Sequence, residues 1–580
     1  MTTAITRRQL IASGFKAGVG LAALYQLPGF ARPILAVSAN SQTESSQRFQ
    51  AAYQRLDEFI VRHMNETGAP GMTLALADRD GLLRSSQYGF ADVKAGIKVQ
   101  PETLFEIGSI SKSFVAIALL QLADESKLDL NKPVKNYLPW LKIDSTYTPF
   151  TTHHLLSHTA GLSGVPLLMR VATTTLRVGF EPGTKWLYSN IGYVLLGFLL
   201  ESLEQRPFAE IMRRRVLDPL GMSQSVPVIS AAIRDRTAIG YGPLKIDRPF
   251  PPHGKLAEAP WVDVAEAAGS IAATATDMGN YLRMLLNHGV GPKGRVLSDK
   301  AFELLTKPVI KAAFRGEEAS YAYGLWVSDK DSHTLLRHTG GMVAFSSAMY
   351  ADTTDGLAAF ASVNASLYGG YRPVAVARYA LQLLSAAAKD KELLAPPPPP
   401  PASDKIANVT DYVGTFTASD GGKLVLTSEG DKLLLQYAGA AIILEQAAPE
   451  LFFVKHPDWD LFLLGFSRLQ GKVAEAFHGA RWWTNERYSG PKTFQYPSEW
   501  NAYAGHFQSD SPWYESTRLV IRKGQLLVEG LQPLEAIEPR VFRVPGQAVD
   551  VDRVVFDTIV DGRAMRASYS GIEFFRALTP

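Results

Sequence analysis

The chain contains no cysteine among its 580 residues, which excludes disulfides, thiolate nucleophiles, iron–sulfur clusters and cysteine-ligated zinc. It also lacks a charge imbalance. It has 59 basic and 56 acidic residues, so the composition predicts no nucleic-acid-binding surface. With 46% hydrophobic residues and no repetitive composition, the chain can bury a large core. Its length predicts about three or four domains, or one large domain with appendages.

The first 39 residues differ in composition from the rest of the chain. Residues 1–39 include the adjacent Arg7 and Arg8 and contain no acidic residue. The short apolar run Ala17–Leu27 and the small residues Ala36–Ala39 complete the pattern of a cleaved secretory signal, and paired arginines are typical of twin-arginine export. The alternative is a membrane anchor, but a spanning helix needs about 20 apolar residues. We therefore predict a twin-arginine-type signal peptide over 1–39, a periplasmic location and no stable membrane span after cleavage.

A run of prolines divides the remaining sequence. Pro396–Pro401 are six consecutive prolines, and such a run adopts the extended polyproline II conformation, so we predict a semi-rigid linker over 393–402. The preceding segment, 45–392, alternates helical and strand-like patterns, such as a helix over 46–64 and a buried strand over Leu357–Val363. This alternation predicts an α/β or α+β domain.

After the linker the pattern changes to short alternating runs separated by glycine, aspartate and asparagine, which is typical of all-β structure. A sequence repeat is also present, because Tyr412–Phe416 (YVGTF) recurs as Tyr503–Phe507 (YAGHF). Each copy precedes two spaced strand-like runs. We predict two small β-barrel domains, at 403–495 and 498–580.

The first candidate for chemistry is a Ser-x-x-Lys pair. Ser109 and Lys112 share one face if a helix begins at Ser109. A hydroxyl nucleophile needs a neighbouring group to take its proton, and a lysine desolvated by an apolar helix has a lowered pKa that suits this role. Backbone N–H groups at the helix start can also stabilise an oxyanion. The alternative is an ordinary N-capping serine, since such pairs arise by chance in long proteins.

A tyrosine and an asparagine form the second candidate. Tyr188 and Asn190 follow the turn-forming pair Pro182–Gly183 and can point the same way from an extended loop. A phenol beside a lysine ammonium can act as a general base or proton shuttle, and an amide can orient the lysine or a substrate carbonyl. The alternative is a packed tyrosine and a turn asparagine.

The third candidate is His338–Thr339–Gly340–Gly341, which precedes a strand-like run. Adjacent glycines on an edge strand allow a substrate backbone to approach closely. His338 and Thr339 would then be polar contacts, and the Gly341 N–H could complete an oxyanion hole. The alternative is a simple hairpin turn.

These three segments occur in the order of the motifs S-x-x-K, Y-x-N and K-T-G that penicillin-binding proteins and serine β-lactamases share. Residues 154–162, HLLSHTAGL, and 269–278 are also similar to segments of class C β-lactamase-like hydrolases. The resemblance covers about 55–390. It implies a β-lactamase/transpeptidase-like α/β catalytic domain with an antiparallel sheet and helices, followed here by the two predicted barrels.

The same resemblance implies roles for individual residues. Ser109 corresponds to the acylated nucleophile, Lys112 and Tyr188 to its proton-transfer partners, and Asn190 to a polar orienter. The N–H groups of Ser109 and Gly341 correspond to the oxyanion hole. Either Lys112 or Tyr188 could be the general base, and no metal or organic cofactor is implied.

One departure concerns the third motif, which begins with His338 where lactam- and cell-wall-processing relatives carry lysine. A histidine of ordinary pKa is mostly neutral at pH 7, so it attracts a substrate carboxylate weakly. His-x-Gly resembles the D-aminopeptidase and esterase branches of the superfamily, and a D-aminopeptidase of this kind also carries two C-terminal barrels. We therefore expect an exported serine hydrolase, of D-aminopeptidase type, acting on small or unusual peptides.

Other functions remain open at this stage. A carboxylesterase, a β-lactamase or a DD-carboxypeptidase would use the same residues, and a non-catalytic peptidoglycan- or peptide-binding protein could retain the fold. His154 and His158 have the spacing of a zinc protease helix, but Leu155 stands where its glutamate should be. We expect a small-molecule or peptide substrate and no nucleic-acid partner, and a homo-oligomer is possible.

Overall fold

The computed structural model describes residues 48–164, 175–251, 254–314, 317–330, 332–366, 373–399, 401–545 and 551–578. The signal peptide predicted over 1–39 lies outside the described residues. Contacts divide the chain into two compact units. One, called the catalytic unit because it holds the predicted site residues, comprises the described residues up to Gly242 together with Leu256–Pro399. The other, the barrel unit, holds Pro243–Lys255 together with the described residues from 401 onward. In the described part of the chain, no helix combines the length and apolar composition needed to cross a membrane.

The catalytic unit combines helices with a mostly antiparallel set of strands. Its described helices are α1 (Gln50–Thr67), α2 (Ser111–Asp124), α3 (Thr152–Leu156), α4 (Asn190–Glu204), α5 (Phe208–Met212), α6 (Ala275–Leu286), α7 (Asp299–Thr306) and α8 (Pro373–Ala388). Its described strands are β1 (Gly71–Asp78), β2 (Leu82–Asp92), β3 (Ile97–Lys98), β4 (Phe105–Glu106), β5 (Ile143–Asp144), β6 (Leu176–Arg177), β7 (Tyr241–Pro243), β8 (Leu256–Glu258), β9 (Ala272–Ala273), β10 (Val290–Gly291), β11 (Gly294–Arg295), β12 (Ile310–Lys311), β13 (Ser320–Tyr321), β14 (Trp326–Lys330), β15 (His333–Gly341), β16 (Ser346–Asp352) and β17 (Leu357–Val363).

Nine of these strands form one antiparallel sheet in the order β12-β13-β14-β15-β16-β17-β1-β2-β3. The central strands β16 and β17 are buried along their whole length, so both faces of the sheet are covered. Leu74 and Ala359 face a core that includes Phe59 of α1 and Leu383 of α8. Because side chains alternate along a strand, the intervening residues face the opposite layer, where α6 packs. The predicted α/β domain with an antiparallel sheet is confirmed.

The boundaries of two predicted helices differ in the structure. The helix predicted over 46–64 is α1, which ends where Gly68 adopts a left-handed conformation. The helix predicted to begin at Ser109 begins instead at Ser111, because Gly108–Ile110 forms a turn of 3-10 helix ahead of it. Ser109 is therefore not a helix cap, and its hydroxyl is available for other contacts.

The barrel unit contains two all-β structures. The first is a closed eight-stranded barrel of β18 (Gly414–Thr417), β19 (Lys423–Glu429), β20 (Lys432–Tyr437), β21 (Ala440–Ala448), β22 (Leu451–Val454), β23 (Leu464–Leu469), β24 (Lys472–His478) and β25 (Arg481–Thr484). The second is a nine-stranded sheet of β26 (Gly505–Ser511), β27 (Tyr514–Arg522), β28 (Gln525–Val528), β29 (Gln532–Pro533), β30 (Glu535–Glu538), β31 (Val541–Arg543), β32 (Val554–Val560), β33 (Arg563–Tyr569) and β34 (Ile572–Arg576). Its edge strands, β29 and β30, are consecutive in the chain, so this sheet is nearly closed. The two predicted all-β barrels are confirmed.

The sequence repeat marks the start of each barrel. Tyr412 and Tyr503 each follow a 3-10 turn and are buried. Tyr412 packs edge-on against Phe452 and Phe466, and Tyr503 stacks on Phe556. In both copies the tyrosine therefore packs against aromatic rings of its own barrel just before the first strand begins.

The sequence did not indicate that Pro243–Lys255 belongs with the barrels. This segment joins β7 and β8 of the catalytic unit, yet it groups with the barrel unit. Arg248 Nη1 donates to Asp460 at 2.8 Å, and Arg518 Nη2 donates to Asp247 at 2.7 Å. The segment thus makes charged contacts with both barrels.

Candidate active site

Two glycine positions allow the segment carrying Ser109 to lie against strand β15. Gly108 has a φ of 54°, which favours glycine, and a Cβ there would lie only 2.8 Å from the Gly341 nitrogen. A Cβ on Gly340 would overlap the carbonyl oxygen of Ile107. The absence of side chains therefore brings the backbone of Gly341 next to the residue that precedes Ser109.

Lys112 lies on the first turn of α2 and is fully buried. Its Nζ is 3.0 Å from Ser109 Oγ, 2.9 Å from Asn190 Oδ1 and 2.6 Å from the Ala268 carbonyl oxygen. An ammonium has three protons, and these three acceptors match them. The predicted Ser109, Lys112 and Asn190 are thus brought into one hydrogen-bonded group.

The electrostatic surroundings of Lys112 favour its neutral form. Burial lowers the pKa of Lys112 to about 7, and the Glu266 carboxylate opposes this shift. A lysine with such a pKa is neutral in about half of the molecules at pH 7. In that form Nζ has a lone pair 3.0 Å from the Ser109 hydroxyl, so it can accept the hydroxyl proton.

Tyr188 lies beside the same pair. Burial raises the pKa of Tyr188 above its ordinary value, and a hydrogen bond with Ser109 acts in the opposite direction. Lys112 Nζ lies 5.1 Å from the centre of the Tyr188 ring. The phenol therefore keeps its proton at neutral pH and can donate it, which suits a shuttle better than an ionised base.

Asn190 is positioned by the start of helix α4. The preceding Ser189 is the N-cap, and its Oγ accepts from the Gly192 nitrogen at 3.1 Å. The Ser189 backbone nitrogen donates to His158 Nδ1 at 3.1 Å. Asn190 is therefore the first helical residue, and its backbone is held on both sides of the cap, which differs from the extended loop that the sequence indicated.

His158 and His154, the pair at zinc-protease spacing, are engaged by the backbone. His158 Nδ1 accepts from Ser189, and its ring centre lies 4.2 Å from that of Tyr188. His154 Nδ1 accepts from the Thr151 nitrogen at 3.2 Å in a capping box. Among the described residues, the only group of three side chains spaced to hold a metal is His333, Asp352 and Asp355. His158 therefore packs against Tyr188, and His154 caps the start of helix α3.

His338 is buried, with 2% of its surface exposed. Its Nδ1 lies 2.7 Å from the Thr339 carbonyl oxygen and its Nε2 lies 3.1 Å from the Tyr321 hydroxyl. A neutral ring satisfies both contacts, with Nδ1–H donating and Nε2 accepting. Burial, together with the charge of the nearby Lys112, lowers the pKa of His338 to about 3. The third motif therefore contributes no cation at neutral pH.

Thr339 and the two glycines continue β15 beyond His338. Thr339 pairs with Ala348 and Gly341 pairs with Ser346 in the register of β15 and β16. Thr339 and Gly341 are partly exposed, whereas Gly340 is buried. The structure thus brings all eight predicted site residues to one region, around the start of α2, the start of α4 and the end of β15.

Two acidic residues of this region were missed by the sequence analysis. Burial raises the pKa of Glu266 to about 7, and the Lys112 charge opposes that shift. Burial raises the pKa of Glu106 to about 8. Glu106 stands three residues before Ser109, and Glu266 stands two before the carbonyl that Lys112 contacts. Only the position of Glu106 beside the motif was a usable signal.

Comparison with known proteins places this geometry in a family. Residues 56–384 match the family described as Beta-lactamase. Protein Rv1367c of Mycobacterium tuberculosis is 30% identical over 284 residues, which are 42% of this chain and 69% of that protein. Penicillin-binding protein 4 of Amycolatopsis lactamdurans is 30% identical over 272 residues, which are 44% of this chain and 69% of that protein. An octameric penicillin-binding protein homologue from Pyrococcus abyssi has the same fold, with a TM-score of 0.53 and 23% identity over 75% of this chain and 100% of that chain.

Proposed function

This chain belongs to the beta-lactamase family of serine hydrolases, and from that premise we propose that it is an exported enzyme that cleaves amide or ester bonds through an acyl-enzyme. The observation that carries the proposal is the 3.0 Å contact between Ser109 Oγ and the buried Lys112 Nζ. A hydroxyl and a lysine of lowered pKa at this distance form an activated nucleophile.

The proposed reaction has two steps. Ser109 Oγ attacks the substrate carbonyl carbon while its proton passes to neutral Lys112, and the oxyanion is held by the backbone N–H groups of Ser109 and Gly341. The carbon–nitrogen or carbon–oxygen bond then breaks, and the leaving group takes a proton from Tyr188 or Lys112. In the second step water attacks the ester carbonyl and gives a proton to the group that protonated the leaving group. The bond between the acyl carbon and Ser109 Oγ then breaks, Oγ takes a proton back from Lys112, and the acid is released.

We assign the role of general base to Lys112. A base must be deprotonated near the working pH. The pKa of Lys112 is about 7, whereas burial holds the pKa of Tyr188 above its ordinary value. Tyr188 keeps a proton to pass to the leaving group, and Asn190 holds the lysine in place through its Oδ1.

The charge of the site favours a peptidase or amidase of D-aminopeptidase type over a carboxypeptidase or a β-lactamase. A substrate carboxylate needs a cation, and the neutral His338 does not supply one. A carboxylesterase is the second candidate, because the same neutral site also accepts an uncharged ester. Small or unusual peptides are the substrates that we propose.

Fluorophosphonate labelling with peptide mapping tests the nucleophile. We expect one adduct, on Ser109, and loss of labelling and of turnover in Ser109→Ala. The matched control is Ser113→Ala on the same helix, whose hydroxyl contacts Ile110 and Tyr281 and which should label normally. Absence of any adduct in the wild-type protein would favour the non-catalytic binding function. D-Aminoacyl amides, peptides, short esters and a β-lactam then form the substrate screen.

Two properties of the whole protein are also proposals. We propose export by the twin-arginine route, which cell fractionation tests with Arg7 and Arg8 replaced by lysine in the variant. We also propose a homo-oligomer, since one protein of this fold is octameric, and sedimentation of the purified chain tests this directly.

A further inference from the structure

A cavity of about 40 Å³ lies in the catalytic unit next to the segment that carries Ser109. Its lining includes Glu106, Met342 and Phe345, together with Arg234, Glu258 and Trp261. Glu106 is three residues from Ser109, so their Cα atoms are at most about 11 Å apart. Met342 directly follows Gly341, the proposed oxyanion donor. The cavity therefore adjoins both strands of backbone that frame the site.

Glu106 is one of the residues that line this cavity. Only 8% of the residue is exposed, and in the described part of the chain no side chain or backbone group forms a hydrogen bond or ion pair with its carboxyl oxygens. A buried polar group without a partner is costly. A site that retains such a group is suited to a ligand that completes it.

The surroundings of Glu106 favour a cation over an anion. The other charged groups of the lining are Glu258 and Arg234, both exposed at the rim, and they offset each other. The Phe345 ring also lines the cavity, and aromatic faces attract ammonium groups. The Trp261 ring already has the Arg234 guanidinium over it, at 6.0 Å from the ring centre. A divalent metal requires more oxygen ligands than one deep carboxyl supplies. The volume corresponds to about three water molecules, which fits the head of a primary amine.

We propose that this cavity binds a primary ammonium group of the substrate, with Glu106 as its carboxylate partner. The inference rests on the proposed function, because it names the substrate class of the same site. The inference goes beyond the proposed function because it assigns the preference for an amine-bearing substrate to Glu106, which lies outside the three motifs.

The first test uses pairs of substrates in which a methyl replaces the ammonium. On the acyl side, these are the 4-nitroanilides of β-alanine and of butyric acid. On the leaving-group side, they are phenylacetyl amides of ethylenediamine and of propylamine. We expect one amine-bearing member to exceed its methyl counterpart at least tenfold in kcat/KM. Glu106→Gln should abolish that ratio and leave the methyl substrates within about threefold of wild type. The matched control, Glu258→Gln at the rim, should keep the ratio.

A second measurement needs no variant and no turnover. The pKa of Glu106 is about 8 in the empty cavity, so its carboxyl is protonated at pH 7. Ethylammonium chloride bound there should ionise it and release a proton to the buffer, which a pH-stat detects, whereas ethanol should release none. The other charged groups that line this cavity are Arg234 and Glu258.

The outcomes separate the two proposals. A ratio near one in both substrate pairs of an active enzyme, or a ratio unchanged by Glu106→Gln, overturns the ammonium site. Absence of proton release with ethylammonium also overturns it and leaves a water-filled cavity. If no substrate is turned over but ethylammonium still releases a proton, the proposed function is wrong and the ammonium site stands.

Discussion

Two sites, one around Lys112 and Glu106 in the catalytic unit and one around Asp247 in the barrel unit, respond to burial in opposite ways. In the catalytic unit, Lys112 and Glu106 are buried without an ion-pair partner in hydrogen-bond contact, and burial brings their pKa values to about 7 and about 8. In the barrel unit, burial acts on Asp247 as well, but hydrogen bonds from Arg248 and Arg518 outweigh it and hold the pKa of Asp247 well below its ordinary value. Groups poised near neutrality can exchange protons, and groups held fully charged hold a structure together.

The largest effect should follow from removing the unpaired lysine. We expect Lys112→Met to lower kcat/KM by about 10²–10⁴-fold, the usual contribution of a general base. The same change should raise the melting temperature, because a charge that burial disfavours has been removed. Steady-state kinetics and calorimetry on the two proteins check this, with the exposed Lys135→Met as the control that changes neither.

The pH dependence of this stability difference has a definite sign. The folded pKa of Lys112 is about 7 and the unfolded value is about 10.4, so between these pH values the unfolded state binds more protons. The free energy of unfolding of the wild type should therefore rise with pH relative to Lys112→Met across that window. If the difference in free energy of unfolding between the two proteins stayed constant from pH 7 to 10, the pKa of Lys112 would not be lowered in the folded state.

A cation added to the neutral third motif should change substrate preference. We expect His338→Lys to raise kcat/KM for an anilide bearing a carboxylate about tenfold relative to the uncharged anilide, since a charge-assisted hydrogen bond contributes about 1.5 kcal/mol. The neutral His338→Gln should leave the ratio unchanged. Equal ratios in all three proteins would mean that position 338 does not reach the substrate.

The paired charges of the barrel unit should respond in stability rather than in rate. Asp247→Asn removes a partner of Arg248 and Arg518 and should lower the free energy of unfolding by about 1–3 kcal/mol. Because the folded pKa of Asp247 is lowered, this loss should be complete above pH 4 and vanish as the pH falls through the folded value. Calorimetry measures it, with the exposed Asp510→Asn as the control. If Asp247→Asn also lowered kcat/KM on a small ester, the paired charges of the barrel unit would affect the rate as well as the stability, which would contradict this comparison.

The smallest expected effect concerns Glu266. Its carboxylate raises the pKa of Lys112, so Glu266→Gln should shift the lower inflection of the kcat/KM profile to a lower pH, by about half a unit to one unit. The rim variant Glu258→Gln should leave the inflection in place. A shift to higher pH would mean that Glu266 acts on Lys112 in another way than by its charge.

Much of the fold could be predicted because its signals are local. The alternating patterns predicted an α/β or α+β domain and two barrels, the family resemblance added the antiparallel sheet, and all of these are confirmed. The buried strand predicted at Leu357–Val363 has those bounds in the structure. The membership of Pro243–Lys255 could not be predicted, because nothing in that segment indicates the aspartate and the arginine, each more than 200 residues away, that it contacts.

The catalytic roles of the eight site residues remain predictions, although the structure brings the residues together. The sequence placed Ser109 and Lys112 one helical turn apart, and the order of three motifs indicated the family. It did not predict the 3-10 turn before α2, because a turn of that kind depends on how Gly108 packs against Gly341.

The sequence by itself therefore determined the positions of the three motifs, the family and the all-β character of the second half, since each follows from residues that are neighbours in the chain. Only the tertiary structure decided the protonation of the site. Lys112 meets Asn190 and Ala268 across 78 and 156 residues, and His338 is neutral because it is buried and engaged by Tyr321. The residues packed around a group exclude water from it and bring charges close to it, and both effects set its pKa. That packing exists only in the folded chain.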